Sequence, residues 1–228
     1  TEDNLDLMES YTLSHKGYKD ISVQFNSVFK SEGFEAAFNY TGELGAIYSA
    51  DKTIFRLWAP TASSVKLNLF TTGDGTEVYF PGDKETFDAS MTRIENGVWQ
   101  IEVPGKLDKV YYTYSVSVNG VTNEAVDPYA KAVGVNGKRA MVVDLDATDP
   151  SGWAQDTYIS LSNNVDAILY ELHIRDFSSD PDAPFVNKGK YLAFTEDGLT
   201  LDGTKIGIDH LKELGVTHVH LLPTFDYR

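Results

Sequence analysis

The sequence predicts a mixed fold, a β-sandwich followed by a single βαβ unit of parallel sheet. Three observations predict it. Between residues 48 and 145, short runs of alternating apolar residues recur between turn signals. Two Asn-Gly pairs, Asn119-Gly120 and Asn136-Gly137, supply the positive-φ dipeptide that tight hairpins need. Beyond residue 165 the pattern changes to strand, helix period and strand in turn.

Composition sets the outer limits. The chain has 228 residues, 42% hydrophobic and 12% aromatic, enough to bury a real core. No window approaches the roughly 18 uninterrupted apolar residues that would span a bilayer. The acidic, polar opening does not read as a secretory leader, though one could have been removed. Acidic residues outnumber basic ones 34 to 19, a net charge of −15. That charge opposes nucleic acid and anionic membrane as partners, and a neutral glycan is compatible with it. With no cysteine, disulfides and thiolate chemistry are excluded.

Residues 1–45 read as a lead-in or the tail of an upstream module, with strand-like alternation over 21–25 and a turn-rich stretch over 40–45. The sandwich is expected over 46–148. Its strands are residues 53–59, stopped by Pro60; 65–70, with Val65, Leu67 and Leu69 on one face; and 98–103, with Trp99, Ile101 and Val103 inward. Residues 110–118 carry an apolar stripe at every even position, and 140–143 close the set. Short strands broken by turns over about a hundred residues make an immunoglobulin-like sandwich the expected architecture. Residues 149–164 form a connector, and 165–228 the βαβ unit. There, 167–172 read as a strand buried on both faces. A long polar loop follows, then a short helix with Ile206, Ile208, Leu211 and Leu214 on one face and Gly215 as its C-cap. Residues 216–222 make the second strand, stopped by Pro223.

Two parallel strands and one short helix leave sheet edges and faces uncovered. A (β/α)₈ barrel needs roughly 250 residues. We therefore expect this unit to be the truncated start of such a barrel, completed by polypeptide elsewhere and packed on the 216–222 strand.

Several stretches resemble one family. Tyr170-Glu171-Leu172-His173-Ile174-Arg175-Asp176-Phe177-Ser178 is similar to the first barrel strand of type I pullulanases, in the α-amylase superfamily. Isoamylase relatives usually have Gly where Asp176 stands. Residues 210–223 resemble the first helix and second strand of that barrel, and 189–196 the loop between. Phe55-Arg56-Leu57-Trp58-Ala59-Pro60-Thr61-Ala62 resembles the opening of a family 48 carbohydrate-binding module, and Asp127-Pro128-Tyr129-Ala130-Lys131-Ala132 its far end. The resemblance implies a retaining hydrolase of α-1,6 linkages in pullulan, starch, glycogen and limit dextrins. It also implies that the family's Asp nucleophile, Glu acid/base and supporting Asp lie on later strands, so no catalytic residue is assigned here. The alternatives are a non-catalytic α-glucan-binding module and a fragment of an isoamylase or branching-type enzyme.

Active sites of such barrels form at the C-terminal ends of the strands. The candidate substrate-binding residues are therefore Arg175, Asp176 and Phe177 after the first strand, and Phe225, Asp226 and Tyr227 after the second. In the sandwich, Trp58, Trp99, Tyr111, Tyr112 and Tyr114 could stack on sugar rings. Alternation places Trp99, Tyr112 and Tyr114 in the core, leaving Tyr111 as the candidate. Asp127 reads as a turn cap. His173, His218 and His220 read as barrel-wall residues, so no metal is assigned, and Glu171 reads as a structural pair partner. No cofactor is expected, with calcium left open for the complete enzyme. The expected partners are an α-glucan and the C-terminal remainder of the same enzyme as a second chain. The expected location is extracellular or at the cell surface, with the cytoplasm as the alternative.

Overall fold

A computed structural model describes residues 6–83, 86–158 and 160–224. Contacts divide the chain into two units, Thr1–Asp149 and Pro150–Arg228.

The first unit begins with a two-stranded antiparallel ribbon, β1 (Thr12–Leu13) and β2 (Ile21–Ser22). The alternation over 21–25 therefore makes strand only at its first two residues. Helix α1 (Glu32–Phe38) follows, an element the sequence reading missed. Ser31 caps it, its Oγ accepting the Phe34 N–H at 3.1 Å, and Glu32 and Glu35 lie in the first turn where the helix dipole favours them. Phe34 and Phe38, four residues apart, meet at 4.8 Å, and Phe34 sets its edge against Trp58. The Trp58 indole N–H donates to the Phe38 carbonyl at 2.8 Å, and Asn96 Nδ2 donates to the Asn39 carbonyl at 2.6 Å. The lead-in is thus fastened to the sandwich through its helix.

The sandwich strands are β3 (Gly45–Tyr48), β4 (Lys52–Trp58), β5 (Ser64–Phe70), β6 (Thr92–Arg93), β7 (Val98–Pro104), β8 (Tyr111–Val118), β9 (Val121–Ala125), β10 (Ala132–Val133) and β11 (Ala140–Met141). One sheet has the order β3-β4-β7-β6. The other runs β10-β11-β8-β5, with β9 also on β8. All of these pairings are antiparallel. The Asn119-Gly120 turn closes β8 onto β9 with φ of 51° and 76°, and the register Val118↔Val121 makes it a two-residue hairpin loop. Asn136 and Gly137 also take positive φ, but the whole of 134–139 separates β10 from β11, so this is no tight hairpin. The strand expected over 140–143 shortens to Ala140–Met141, although Val142 stays buried and its N–H bonds to the Val110 carbonyl at 2.9 Å.

Between the sheets, Phe55 and Leu57 of β4 and Trp99 and Val103 of β7 meet Val65, Leu67 and Leu69 of β5 and Tyr112 and Tyr114 of β8. Each such side chain, fully buried, contributes about 1.5–3 kcal/mol. Phe55 and Tyr112 meet edge to face at 5.0 Å, tying one sheet to the other.

The second unit holds one parallel pair, β12 (Leu169–Leu172) and β15 (His218–Leu221), in the register Leu169↔His218 to Leu172↔Leu221. Both strands are shorter than the sequence suggested, yet backbone bonds extend the pairing: Leu222 N–H reaches the Leu172 carbonyl at 2.9 Å. Between them lie a ribbon, β13 (Thr200–Leu201) and β14 (Thr204–Lys205), and helix α2 (Gly207–Glu213). Gly215, at φ 76°, donates its N–H to the Lys212 carbonyl while Val216 N–H reaches Leu211, the paired bonds of a Schellman cap. The strand over 167–172 was expected to be covered on both faces. It is not: Leu169 is 69% exposed, Val219 opposite Tyr170 is 39% exposed, and only Leu172 of β12 is buried. Nothing among the described residues of this unit covers them. The intervening loop is less polar than its sequence implied, since Ala183, Phe185 and Ala193 form a small core with Phe177, Leu199 and Ile206.

Two glycines separate backbone strain from crowding. Gly97 sits at φ 75°, and a Cβ there would come within 2.6 Å of Pro60 and 3.0 Å of Phe38. Gly120 sits at φ 76° in open space. Gly120→Ala should cost about 1 kcal/mol from the left-handed backbone alone. Gly97→Ala should cost about 3 kcal/mol or more, because the clash with Pro60 adds to it. Urea denaturation of both variants measures the difference, and equal losses would show that Pro60 yields freely.

Candidate functional site

In the second unit, β12 runs into a helical turn. Phe177 N–H donates to the His173 carbonyl at 3.0 Å, so residues 174–176 form a turn at the C-terminal end of the strand, with Ile174 buried. Arg175 and Asp176 are exposed there, whereas Phe177 is half-buried. The Phe177 ring stacks on Phe194 at 4.2 Å with 3° between planes, and tilts against Phe185 at 5.7 Å. Of the three candidates after this strand, Phe177 therefore joins the loop core, and the two charged residues face outward. Gly189, at φ 68°, lies against the Arg175 side chain and donates its N–H to the buried Ser178 Oγ at 2.8 Å. Glu196 holds the same loop: its carboxylate accepts from Val186 N–H, Asn187 N–H and Asn187 Nδ2 at 2.8–2.9 Å. Those bonds, Val186's foremost, hold its carboxyl below the ordinary glutamate value.

Beside β12 opens a cleft of about 530 Å³ whose wall includes Glu171, His173, Asp176, Lys205 and His210. His173 Nδ1 is shielded from solvent without a hydrogen-bond partner, and Asp176 Oδ1 stands 3.6 Å from it. Glu171 pairs with His220 Nδ1 at 3.0 Å, and His218 Nδ1 meets Thr217 Oγ1 at 2.8 Å. The strand histidines thus have partners within their own unit. Among the described residues, no group of three or more His, Cys, Asp or Glu is placed to hold a metal ion. Phe225, Asp226 and Tyr227 lie outside the described residues.

In the first unit, Tyr111 is half-buried rather than open. A Cβ on Gly73 or on Gly134 would lie 3.1 Å from its ring, so two loops close over it. As a sugar platform it is obstructed. The residue that matters most here is one the sequence marked only as a turn cap. Asp127 is 3% exposed. Its Oδ1 does accept the Tyr129 N–H at 2.8 Å, making the expected Asx turn. Its Oδ2 accepts the Tyr112 hydroxyl at 2.8 Å and the Tyr114 hydroxyl at 3.2 Å inside the core. Burial raises the Asp127 carboxyl above its ordinary value, outweighing the bonds from Tyr129, Tyr112 and Tyr114 that act the other way. Burial also pushes both tyrosines up, and the Asp127 charge adds to that.

Comparison with known proteins places this geometry. Residues 43–130 match the family Carbohydrate-binding module 48 (Isoamylase N-terminal domain). These residues are a family 48 module. The match begins just before β3 and ends just after Asp127, so the module's last motif is the one that ties Tyr112 and Tyr114. The likeness continues beyond the module. A pullulanase of Bacillus subtilis is 40% identical over 90% of this chain. A solved pullulanase from Bacillus acidopullulyticus superposes with a TM-score of 0.84 at 43% identity, covering 99% of this chain. One from Paenibacillus barengoltzii, in complex with maltohexaose and alpha-cyclodextrin, gives 0.77 at 44% identity over 86%. The chain spans 27% of the first two proteins and 30% of the third. Over nearly all of its length, then, the chain is homologous to one region of pullulanases.

A pH experiment reads the buried carboxylate of the module. A carboxyl raised by folding binds its proton more tightly in the native state, so its contribution to stability is full below the ordinary value of 3.8 and is lost as pH rises through the folded value. Replacing Asp127 with Asn should cost about 1–3 kcal/mol, because the amide nitrogen cannot accept where a carboxylate oxygen did. Relative to that variant, the wild type should gain stability as pH falls from neutral toward 3.8. Denaturant unfolding across that range measures it, and a pH-independent gap would show that the bonds to Asp127 cancel its burial.

Proposed function

We propose that this chain is the module and barrel start of a pullulanase that hydrolyses α-1,6 linkages in α-glucans. One observation carries the reading: similarity at about 40% identity runs without a change of family through both units, the module and the parallel pair alike. In this reading β12, α2 and β15 are the first strand, helix and second strand of a (β/α)₈ barrel. Such a barrel gathers its chemistry at the C-terminal strand ends. There Arg175 and Asp176 would line sugar subsites, while Phe177 sets the loop that carries them.

Hydrolysis with retention needs two carboxyl groups about 5–5.5 Å apart, one attacking the anomeric carbon and one protonating the departing oxygen. We assign neither to this chain. They would come from further polypeptide of the same enzyme, joined covalently or as a second chain. The exposed apolar residues Leu169, Val219 and Leu221 support this, because a parallel sheet is ordinarily covered on both faces. The Paenibacillus structure, whose complex holds maltohexaose and alpha-cyclodextrin, supports an α-glucan as the ligand. A location outside the cell or on its surface fits a polymeric substrate.

Co-expression with the complementing part of a homologous pullulanase tests this. The complex should release maltotriose units from pullulan, and a stable complex without hydrolysis would overturn the reading. Because Asp176 is exposed, Asp176→Ala should leave folding intact and lower kcat/KM by about tenfold, the worth of one hydrogen bond to a charged group. Steady-state assays on pullulan measure it.

A further inference from the structure

The chain holds three Asn-Gly pairs, Asn96-Gly97, Asn119-Gly120 and Asn136-Gly137. Each carries latent chemistry, because glycine has no side chain to shield its backbone nitrogen from the side-chain amide before it. All three asparagines take a φ between 51° and 53°, so motif and backbone conformation alone do not rank them. Their surroundings do.

Asn96 is tied down: its Nδ2 donates to the Asn39 carbonyl at 2.6 Å, and Gly97 is buried against Pro60 and Phe38. The Gly137 N–H donates to the Gly134 carbonyl at 3.1 Å, and the Gly134 N–H to the Arg139 carbonyl at 2.8 Å. Arg139 pins that loop further, donating to the Thr72 and Gly75 carbonyls at 2.6 Å each. Asn119 and Gly120 have neither restraint. Both are exposed, a Cβ on Gly120 would meet open space, and among the described residues nothing accepts the Gly120 N–H.

The Asn119-Gly120 turn also closes onto a weakly held strand. Among the described residues β9 pairs with β8 alone, and all five of its residues are exposed. Such a strand opens locally at small cost. Opening matters, because a five-membered ring through the Asn119 side chain and the Gly120 nitrogen forms only when the backbone rotates out of the hairpin turn.

We propose that Asn119 is the chain's leading site of spontaneous deamidation, and that its isoaspartate product releases β9 from the sandwich. The chemistry balances with water alone. The Gly120 nitrogen gives its proton to solvent and bonds to the Asn119 side-chain carbonyl carbon. The amide nitrogen leaves that carbon as ammonia, taking up a proton. Water then adds to either carbonyl of the cyclic imide and breaks its bond to the Gly120 nitrogen. Opening at the side-chain carbonyl gives aspartate; opening at the main-chain carbonyl gives isoaspartate, whose backbone runs through one extra methylene. Aspartate still suits the turn, since Asp-Gly adopts the same geometry. Isoaspartate does not, because a two-residue loop closing Val118 onto Val121 has no slack for a longer backbone. β9 then frays as far as Asp127, whose carboxylate stays bonded to Tyr112 and Tyr114.

Ageing the whole chain at mildly alkaline pH, followed by peptide mapping in a mass spectrometer, tests the site. Asn119 should convert at least about fivefold faster than Asn96 or Asn136, the factor that one local interaction supplies. In urea the three should convert at similar rates, because only the folded surroundings separate them. Anion exchange isolates the products, each one negative charge beyond the native −15. In the isoaspartate fraction, identified with an isoaspartyl methyltransferase, the β9 amides bonded to β8 should lose their exchange protection while the Tyr129 N–H keeps its own. Freshly made Asn119→Asp, which adds the charge without the methylene, should keep both. Faster conversion at Asn96 or Asn136, or the same ranking in urea, would overturn the site. Unchanged β9 protection in the isoaspartate fraction would overturn the release.

Discussion

The module is organised around one carboxylate buried where two tyrosine hydroxyls and a turn N–H converge. Asp127 joins the end of the chain segment after β9 to the middle of β8, and Tyr112 carries that tie across the interior to Phe55 on the opposite sheet. Without an acceptor there, two phenol O–H donors would be left unsatisfied in an apolar core, each at a cost of about 1–3 kcal/mol. The apolar packing of the sandwich is thus compatible with its tyrosines only because one acidic residue is placed to receive them. Gly45 follows from the same arrangement. It enters β3 at φ 90°, and a Cβ there would come 3.0 Å from the Tyr129 carbonyl in the turn that Asp127 shapes.

The centre of the sandwich was legible in the sequence, because strands such as β4 and β5 obey a period of two with one face buried, whereas β9, exposed throughout, carries no such signal. The even positions of β8 and the alternation of β5 translate directly into the core. Asn119-Gly120 was legible for a different reason, since its backbone geometry excludes most other pairs. The sequence could not show that Asp127 reaches inward. A carboxylate before proline looks the same whether its second oxygen meets water or two tyrosines. The signal was present only as a coincidence: a polar stripe partner was needed for Tyr112 and Tyr114, and Asp127 is the acid nearest after the hairpin. Helix α1 was missed because seven residues are too few to establish a period, although Ser31 and the Phe34–Phe38 spacing mark it in retrospect.

The second unit behaves differently. Its strands were recognised by composition, not alternation, and composition alone does not fix their ends or their cover. Leu169 and Val219 have the character of interior residues and the exposure of surface ones. Its loop was misjudged for the opposite reason. Ala183, Phe185 and Ala193 are scattered among prolines, glycines and charges, so no window average reveals that they converge on Phe177. The candidate site inherits both problems: Arg175 and Asp176 were located by the strand before them, while the role of Phe177 depended on scattered residues such as Phe185 and Phe194 further along the loop.

The meeting of Gly73 and Gly134 over Tyr111 has an implication for how such modules diverge. A Cβ on Gly134 would lie 2.8 Å from the Gly73 Cα, and one on Gly73 would lie 3.1 Å from the Gly134 Cα, so a side chain at either position of the crossing presses on the other loop. The two loops are remote in sequence but behave as a single mortised joint. A lineage that lengthens or decorates one must remodel the other at the same step. Transplanting either loop alone into a foreign sandwich would import half of a fitted pair.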